Sequence, residues 1–304
     1  MFAINHKKEF YILAIILTVI ALGSIFGFGL KQGIDFTGGS VLEVSFPEQK
    51  PSQEQVESVV REFNTGNFLV RSSGDNGYLI KTATIDDATK KAIENGLSQN
   101  GQFKLAEEKF ITVGPTLGEE LTSSALISVL LVLLAITLYV AYVFRGVSKP
   151  VSSWKYGFVT IIALFHDIIL TVGFFAILGK FFGVEIDALF VTAILVVLGY
   201  SVNDSIVVLD RVREKLKNTK EELRQSQFVE LVGKSLRETV ARSLNTTITT
   251  LLSLVALYFF GGEATRNFAL ALIVGITAGA YSSIFVAPQL LVTFFERGKK
   301  NLKN

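Results

Sequence analysis

Six long apolar runs dominate the pattern of hydrophobic and polar positions along the chain. They lie at about residues 10–30, 122–144, 156–179, 188–209, 243–260 and 267–295. Most of them reach the roughly 20 residues that a helix needs to cross a bilayer. Residues 31–120 interrupt this pattern with short amphipathic segments and polar turns. We therefore predict a polytopic α-helical membrane protein with six transmembrane helices and a folded domain inserted after the first.

The inserted segment contains signals for four strands and two helices. "VLEVSF" and "FKLAEEKFITVG" are typical of strands, and "GDNG" between "NFLVRSS" and "YLIKTAT" predicts a hairpin. Ser52 and Gln55 can form a capping box at the start of one helix, and Asp86 can cap the other. The order β-α-β-β-α-β predicts an α+β ferredoxin-like domain, a fold that hosts many unrelated functions.

Composition agrees with a membrane protein and argues against several kinds of chemistry. Hydrophobic residues make up 50% of the chain, and its mean hydropathy is +0.47. There is no cysteine, and two histidines leave little material for a metal site. The single "GKS" sequence has Phe228 where a phosphate-binding loop needs its first glycine. We therefore expect no metal, no cofactor and no nucleotide hydrolysis.

The distribution of Lys and Arg predicts how the chain is oriented in the membrane. Outside residues 31–120 there are 20 of these residues, and 18 fall on the side of the two termini. Lys180 and Arg266 are the two on the other side. By the positive-inside rule, both termini are cytoplasmic and residues 31–120 are extracytoplasmic. Orientation explains the basic connection after the fourth run, so we expect lipid and no nucleic acid beside it.

These observations divide the chain into four parts. Residues 1–30 form the cytoplasmic amino terminus and a first transmembrane helix, which we interpret as a retained anchor because no cleavage pattern interrupts it. Residues 31–120 form the extracytoplasmic domain. Residues 121–296 hold the other five helices and a basic cytoplasmic loop at 210–241, and residues 297–304 form a basic tail.

Polar residues inside the fourth run are the first candidates for a functional site. A carboxylate in hydrocarbon is costly, so Asp204, which follows Asn203, needs a partner, a cavity or a role in transport. On a helix, Ser201 and Ser205 lie on the same side as Asp204. The third run carries a second pair, His166 and Asp167, for which a structural hydrogen bond and a proton relay are both open.

The fifth run carries a polar stripe at helical spacing. Its members recur at i, i+3, i+4, i+7, i+8 and i+11: Arg242, Asn245, Thr246, Thr249, Thr250 and Ser253. Because lipid cannot satisfy such a face, we expect it to point into the helix bundle or a water-filled cavity. Asp204 and Arg242 together suggest a path for protons. Two structural alternatives stay open: Arg242 snorkels to the membrane surface, or Asp204 is a fixed ion-pair partner.

Several motifs closely resemble those of the SecF subunits of bacterial protein export, within the RND superfamily. They are "GIDFTGGS" from Gly33, "HD" at 166–167, "GYSVNDSIVVLDRVRE" from Gly199, "RSLNTTITTLL" from Arg242 and "FGG" at 260–262. The resemblance implies half of a twelve-helix unit, whose other half, SecD, is a separate partner. It also implies association with the SecYEG channel and use of the proton motive force to complete the export of polypeptides.

The resemblance assigns proton transfer to Asp204 and Arg242, and His166 and Asp167 match the family pattern without a settled role. The motif "DFTGG", which comprises Asp35, Phe36, Thr37, Gly38 and Gly39, lies where the first run meets the inserted domain. Its glycines permit unusual backbone angles, so it is either a coupling joint or a turn needed only for folding.

Other functions remain as alternatives. Half of an RND exporter for lipids or small molecules would also be driven by protons. Such an exporter needs a substrate pocket in its outer domain, for which the roughly 90 residues of the inserted domain leave little room. An intramembrane hydrolase built on Ser201 and His166 is more remote, because "GYSVN" lacks the final glycine of a nucleophile elbow. We therefore do not expect an enzyme. A structural scaffold is the last alternative, and oxygen ligands leave protons and sodium ions both possible.

Overall fold

The computed structural model describes residues 6–63, 65–66, 68–99, 102–145, 152–217 and 224–300. The chain forms two compact units, an inserted domain at Gln32–Leu126 and a helical unit built from the rest. Predictions that fall on residues 1–5, 146–151, 218–223 and 301–304 lie outside the described residues.

The inserted domain contains the predicted strands and helices in the predicted order. After a short helix α2 (Ile34–Thr37) come β1 (Gly39–Ser45), α3 (Gln53–Glu62), β2 (Leu69–Ser73), β3 (Gly77–Thr82), α4 (Asp87–Ser98) and β4 (Ala106–Val113). The strand order is β2-β3-β1-β4, and every neighbouring pair is antiparallel. This arrangement is that of a ferredoxin-like sheet and confirms the predicted fold class.

Local sequence signals explain where these elements begin and what they bury. The Ser52 hydroxyl accepts a hydrogen bond from the backbone N–H of Gln55 at 3.3 Å, and Oε1 of Gln55 accepts one from the backbone N–H of Ser52, as predicted. Asp86 accepts from the backbone N–H of Thr89 at 2.9 Å, and hydrogen bonds from the side chain and the backbone of Thr89 lower the pKa of the exposed Asp86 carboxyl. The apolar faces of β1, β3, α3 and α4 meet in one core. It includes Leu42, Val44, Val56, Val60, Ile80 and Ile93.

The helical unit contains six helices long and apolar enough to cross a membrane, which confirms the predicted polytopic architecture. They are α1 (Lys7–Phe28), α5 (Pro115–Val143), α6 (Ser153–Phe182), α7 (Ala188–Lys217), α8 (Gln225–Phe260) and a last span. The last span combines α9 (Glu263–Tyr281), a π-helical turn at Ser282–Val286, and α10 (Ala287–Lys300). Helices α6, α7 and α9 are the most buried, whereas α5 and α8 leave long faces exposed.

The predicted loop at 210–241 is helical over most of its length, because α7 continues to Lys217 and α8 already begins at Gln225. Charged pairs one turn apart support these extensions, including Lys234 with Glu230 at 2.9 Å. Arg211 and Lys215 also bind Glu238 across the two helices. Hydropathy detects only the apolar part of such helices, so the sequence pattern ended them too early.

Glycines bring the last span close to its neighbours. Gly275 and Gly279 lie one turn apart on α9 and face α7, where a Cβ on Gly275 would come within 2.3 Å of the Val197 side chain. A Cβ on Gly279 would lie 3.1 Å from the Cβ of Ser201. Small residues at this spacing allow two membrane helices to approach closely. This close approach brings the π-helical turn to the polar residues of α6 and α7.

Candidate functional site

Asp167 is the centre of a buried polar cluster inside the helical unit. Its side chain is 1% exposed, although α6 is otherwise strongly apolar around it. One carboxyl oxygen lies 3.0 Å from Nδ1 of His166. The other accepts hydrogen bonds from Ser201 of α7 at 2.5 Å and from Ser282 of the π-helical turn at 2.8 Å. The structure thus brings three predicted residues together and adds Ser282, which sequence reasoning missed.

Asp204 is the centre of a second cluster, one helical turn along α7 from Ser201. Its side chain is 5% exposed. One carboxyl oxygen accepts a hydrogen bond from Ser243 of α8, and the other accepts one from Ser283 of the π-helical turn. Both serines are buried, at 2% and 0% exposure. Asp204 therefore contacts neutral hydroxyl donors from two neighbouring helices.

The π-helical turn places consecutive serines on the two clusters. A π-turn inserts one extra residue into the helical repeat and is often found at functional sites. Ser282 reaches Asp167 on α6, while Ser283 reaches Asp204 on α7. The backbone marks this departure, since the Ala287 amide bonds to the Ser282 carbonyl, five residues earlier. A single backbone segment therefore contacts both buried carboxylates.

His166 links the first cluster to the last span and to α1. Its ring stacks on Tyr281 with a centroid distance of 6.1 Å. The Tyr281 hydroxyl in turn donates to the backbone carbonyl of Phe10 at 2.9 Å. The other ring nitrogen of His166, Nε2, is buried and has no hydrogen-bond partner among the described residues. His166 is thus held by Asp167 on one edge and by Tyr281 on its face.

The polar stripe of α8 does not face the bundle of this chain, contrary to the sequence-based expectation. Five of its six members are exposed, as is Asn203 of α7; the five are Arg242, Asn245, Thr246, Thr249 and Ser253. Ser243 and Thr247 face inward instead. The exposed hydroxyls bond to carbonyls of their own helix, for example Thr249 to Asn245 at 2.9 Å. Because their donors are satisfied locally, the threonines do not require burial in the bundle.

The two residues predicted to transfer protons are not joined directly. Among the described residues, no ion pair connects Asp204 with Arg242. Arg242 lines a groove on the outer surface of α7 and α8 together with Asp210, Arg211 and Glu238. Asp204 lies inside the bundle and Arg242 on its surface, with Ser243 following Arg242 in sequence and contacting Asp204. Arg242 and Ser243 are therefore adjacent in sequence but lie on different faces of α8.

The geometry does not form the dyad of an intramembrane hydrolase. The Ser201 hydroxyl donates to Asp167, and His166 contacts the other oxygen of the same carboxylate. A nucleophilic serine needs a base that accepts its proton within hydrogen-bond reach, with a further group orienting that base. Here the carboxylate lies between the serine and the histidine. In the described part of the chain, no group of three or more potential ligands is suited to a metal ion either.

The "DFTGG" motif forms a tight joint within the inserted domain. Asp35, Phe36 and Thr37 belong to α2, and Phe36 is buried. Gly38 and Gly39 follow with φ of 71° and 131°, which L side chains rarely adopt. A Cβ on Gly39 would lie 2.7 Å from the carbonyl oxygen of Thr82.

The first turn of α5 completes this joint. A Cβ on Gly38 would lie 3.0 Å from the Cα of Pro115. Gly118 also approaches the motif closely, since a Cβ added to Gly118 would lie 2.9 Å from the carbonyl oxygen of Phe36. The motif therefore fixes where β1 begins relative to the start of α5, the second membrane-crossing helix.

Sequence reasoning missed Ser243, Ser282, Ser283 and the contact of Tyr281 with His166. Ser243 follows Arg242 directly, so it does not belong to the stripe at i+3 and i+4 spacing that begins at Arg242. The pair "SS" at 282–283 is the one visible signal, because two adjacent hydroxyls interrupt an otherwise apolar run. The sequence pattern gave no indication of a π-helical turn. In that turn, the hydroxyls of Ser282 and Ser283 each donate to a buried carboxylate.

Two family models match the chain. The model described as protein export membrane protein SecD/SecF, C-terminal, matches residues 92–297 and therefore covers both polar clusters. The model described as the SecD/SecF GG motif matches residues 23–46, which include "DFTGG".

Individual relatives agree over nearly the whole length. The protein translocase subunit SecF of Thermobaculum terrenum is 40% identical over 96% of this chain and 93% of its own length. The SecF of Haemophilus influenzae is 39% identical over 92% of this chain and 82% of its own.

A solved structure supports the same assignment. The crystal structure of SecDF from Thermus thermophilus, a translocon-associated membrane protein, is 32% identical, with a TM-score of 0.80 over 97% of this chain. This chain spans 38% of the length of that SecDF chain. With a matched family model, full-length relatives and a common fold in agreement, the chain belongs to the SecF family of protein translocase subunits.

Proposed function

We propose that this chain is an ion-driven subunit of the bacterial protein-export machinery. It pairs with SecD, associates with the SecYEG channel, and uses the proton motive force to complete the movement of a polypeptide across the cytoplasmic membrane. Its relatives are named as translocase subunits, and the related SecDF chain is described as translocon-associated. The distribution of Lys and Arg supports cytoplasmic termini and an extracytoplasmic inserted domain.

The observation that carries this proposal is the surroundings of Asp204. This carboxylate is buried in a membrane-crossing helix and bonded to two serine hydroxyls, with no ion-pair partner among the described residues. A fixed structural carboxylate in hydrocarbon is expected to be paired with a cation. A carboxylate held only by hydroxyls can gain or lose a proton without breaking an ion pair, because a hydroxyl both donates and accepts. Asp204 is therefore suited to bind and release a proton.

The exposed face of α8 supports a partner inside the membrane. Helix α8 has 36 residues and is about 54 Å long, so it extends well beyond the roughly 30 Å hydrocarbon core. Its apolar half ends at Phe260, and with the orientation proposed above we expect Thr249 and Asn245 at membrane depth and Arg242 near the cytoplasmic boundary. An amide and a guanidinium are costly against lipid. A second six-helix subunit, SecD, would cover this face and complete the path from Arg242 to Asp204.

The "DFTGG" joint is the proposed place where ion movement reaches the inserted domain. Its two glycines and the approach of Gly118 leave no space for added side chains, so the start of α5 and the start of β1 move together. A shift of the membrane helices therefore acts on the sheet of the inserted domain, which we propose pulls the emerging polypeptide.

The test is export of a secreted protein into inverted membrane vesicles after its translocation has begun. The vesicles contain SecD and either the wild-type chain, Asp204→Asn or Arg242→Met, with an imposed proton or sodium gradient. We expect both variants to lose the gradient-dependent component while ATP-driven entry is retained. A sodium gradient is expected to have no effect on the wild type.

Two control variants test whether an effect on export comes from the proposed proton-transfer residues or from the loss of any charge on the same helix. Asp210→Asn changes an exposed carboxylate on the same helix as Asp204, and Arg237→Met changes an exposed arginine on the same helix as Arg242. Both controls are expected to keep gradient-dependent export. Full gradient-dependent export by Asp204→Asn and Arg242→Met would contradict the proposal and favour a scaffold.

A further inference from the structure

We propose that Asp167 is a second proton-binding carboxylate, and that the π-helical turn at Ser282–Val286 couples its proton to that of Asp204. The inference rests on the proposed function, because it gives Asp167 a proton-binding role in the same ion path. It is carried by geometry that is separate from the contacts of Arg242 and from the exposed face of α8.

Asp167 and Asp204 each accept hydrogen bonds from two serines. Each accepts one hydrogen bond from a serine on the next helix, Ser201 for Asp167 and Ser243 for Asp204. Each also accepts one from the π-helical turn, through Ser282 and Ser283 respectively. All four hydroxyl-bearing residues are at most 2% exposed. Two buried carboxylates thus each accept from two serines, with His166 as a further contact of Asp167, and one turn of backbone connects the two sites.

Each serine of the turn has a second acceptor within reach. The Ser282 hydroxyl lies 3.1 Å from the carbonyl oxygen of Gly279 as well as 2.8 Å from Asp167. The Ser283 hydroxyl lies 3.1 Å from the carbonyl oxygen of Ala280 in addition to its contact with Asp204. A serine hydroxyl has a single proton to donate. It therefore donates either to the carboxylate or to its own helix.

This choice links the hydroxyl to the charge of the carboxylate. When the carboxylate is ionised, the serine donates to it, because charge-assisted hydrogen bonds are about twice as strong as neutral ones. When the carboxyl is protonated, its O–H donates to the serine oxygen, and the serine proton turns to the helix carbonyl. Since Gly279 and Ala280 are adjacent, a change at one serine alters the backbone that holds the other.

Among the residues that the structure describes, few other titratable groups contact these sites. His166 faces Asp167 from the same helix, and Tyr281 of α9 faces His166. Helices α7 and α8 contribute the neutral Ser201 and Ser243 as contacts to the carboxylates. Helix α1 meets the site through a backbone carbonyl, that of Phe10, which accepts from Tyr281. Coupling between the two carboxylates is therefore expected to pass mainly through the serine pair.

The test is an infrared titration of the full chain in lipid vesicles, with its aspartate carboxyl groups labelled with carbon-13. Asp167→Asn and Asp204→Asn assign the bands of the two protonated carboxyls. We expect both bands to rise as the pH falls. We also expect Asp167→Asn to move the midpoint of the Asp204 band by about one pH unit or more, the size of shift that defines coupled sites.

A gentler variant tests the connection without removing a carboxylate. Ser282→Ala is expected to move the Asp204 midpoint in the same direction as Asp167→Asn, although Ser282 contacts only the other carboxylate. Thr277→Ala is the matched control, because Thr277 lies on the same span and its hydroxyl bonds only to the carbonyl of Ile273, at 2.6 Å. It is expected to leave both bands unchanged.

Two results would overturn the inference: the absence of an Asp167 band over the titration, or an Asp204 midpoint that neither Asp167→Asn nor Ser282→Ala changes. Retained far-ultraviolet circular dichroism in each variant shows that the helices are intact. Failure here is distinct from failure of the proposed function, because the titration measures protons on the chain whereas the export assay measures work on a polypeptide. Coupled bands with normal export by Asp204→Asn would leave the coupling standing and refute the export role.

Discussion

Replacement of Gly275 by Ala tests whether close helix packing holds the two polar clusters together. The added Cβ would lie 2.3 Å and 2.8 Å from the two methyl groups of Val197, and 3.1 Å from the Thr171 hydroxyl. Favourable carbon contacts begin at about 3.5 Å, so α9 must move away from α7 by roughly 1 Å. Val197 cannot swing aside, because it is 1% exposed and its branched side chain has one preferred rotamer on a helix.

The expected magnitude combines two opposing effects. Overpacking of this kind costs about 1–3 kcal/mol, and this contact, which involves several atoms, belongs in the upper part of that range. Alanine favours a helix over glycine by about 1 kcal/mol. We therefore expect Gly275→Ala to lower the free energy of unfolding by about 1–2 kcal/mol, from the difference between overpacking and helix propensity.

The assay is equilibrium unfolding of the full chain in mixed detergent micelles, followed by circular dichroism. Gly199→Ala on α7 is the matched control, because no described residue, apart from the adjacent backbone of its own helix, has an atom within 4 Å of the position of its added Cβ. It is expected to stabilise the chain by up to about 1 kcal/mol through helix propensity alone. If Gly275→Ala is as stable as Gly199→Ala, the glycine contact does not hold α9 against α7, and the reasoning fails.

Three further predictions concern the inserted domain and the face of α8. Gly39→Ala is expected to destabilise the inserted domain by about 1–3 kcal/mol, because φ is 131° and a carbonyl oxygen is too close; thermal unfolding should show a smaller effect for Gly74→Ala, which has open space. Hydrogen bonds from Thr89 lower the pKa of the Asp86 carboxyl below its usual 3.8. The ionised carboxyl therefore contributes to stability at pH values above 3.8, and this contribution is lost as the pH falls through the lowered pKa. Asp86→Asn, which keeps a capping side chain, should therefore weaken the fall in melting temperature between about pH 5 and pH 2, and an unchanged fall would show that Asp86 contributes nothing there. Thr249→Trp should reduce co-purification of SecD, whereas Ile248→Trp on the neighbouring apolar face should not, and equal binding by both would place the partner elsewhere.

The fold could be predicted from the sequence because its determinants are local. Ser52 and Asp86 cap helices through contacts three residues away, and the hairpin at "GDNG" depends on its own turn. Asp204 was also predictable, since a carboxylate within an apolar run is conspicuous whatever surrounds it. The ends of α7 and α8 were not, because charged helical turns outside the membrane look like a loop to a hydropathy pattern.

The contacts of the site could be predicted only in part, because they depend on which face of each helix packs inward. The stripe beginning at Arg242 has regular spacing, but its hydroxyls are satisfied by their own helix and it lies on the surface of the chain. Ser243 is the inward residue, although it stands alone in the pattern. Ser282 and Ser283 lie at the start of a π-helical turn and contact two different helices, and no periodicity in the sequence indicates that turn.

The local hydrogen bonds on the exposed face of α8 have a consequence for biogenesis. Thr246, Thr249 and Ser253 each donate to a carbonyl of their own helix, so these donors are already satisfied when the chain enters the bilayer. A newly inserted helix can therefore stay in lipid at a modest cost before a protein neighbour covers this face. The amide of Asn245 and the charge of Arg242 continue to favour such a neighbour. The same surface is thus stable in lipid before assembly and still favours assembly.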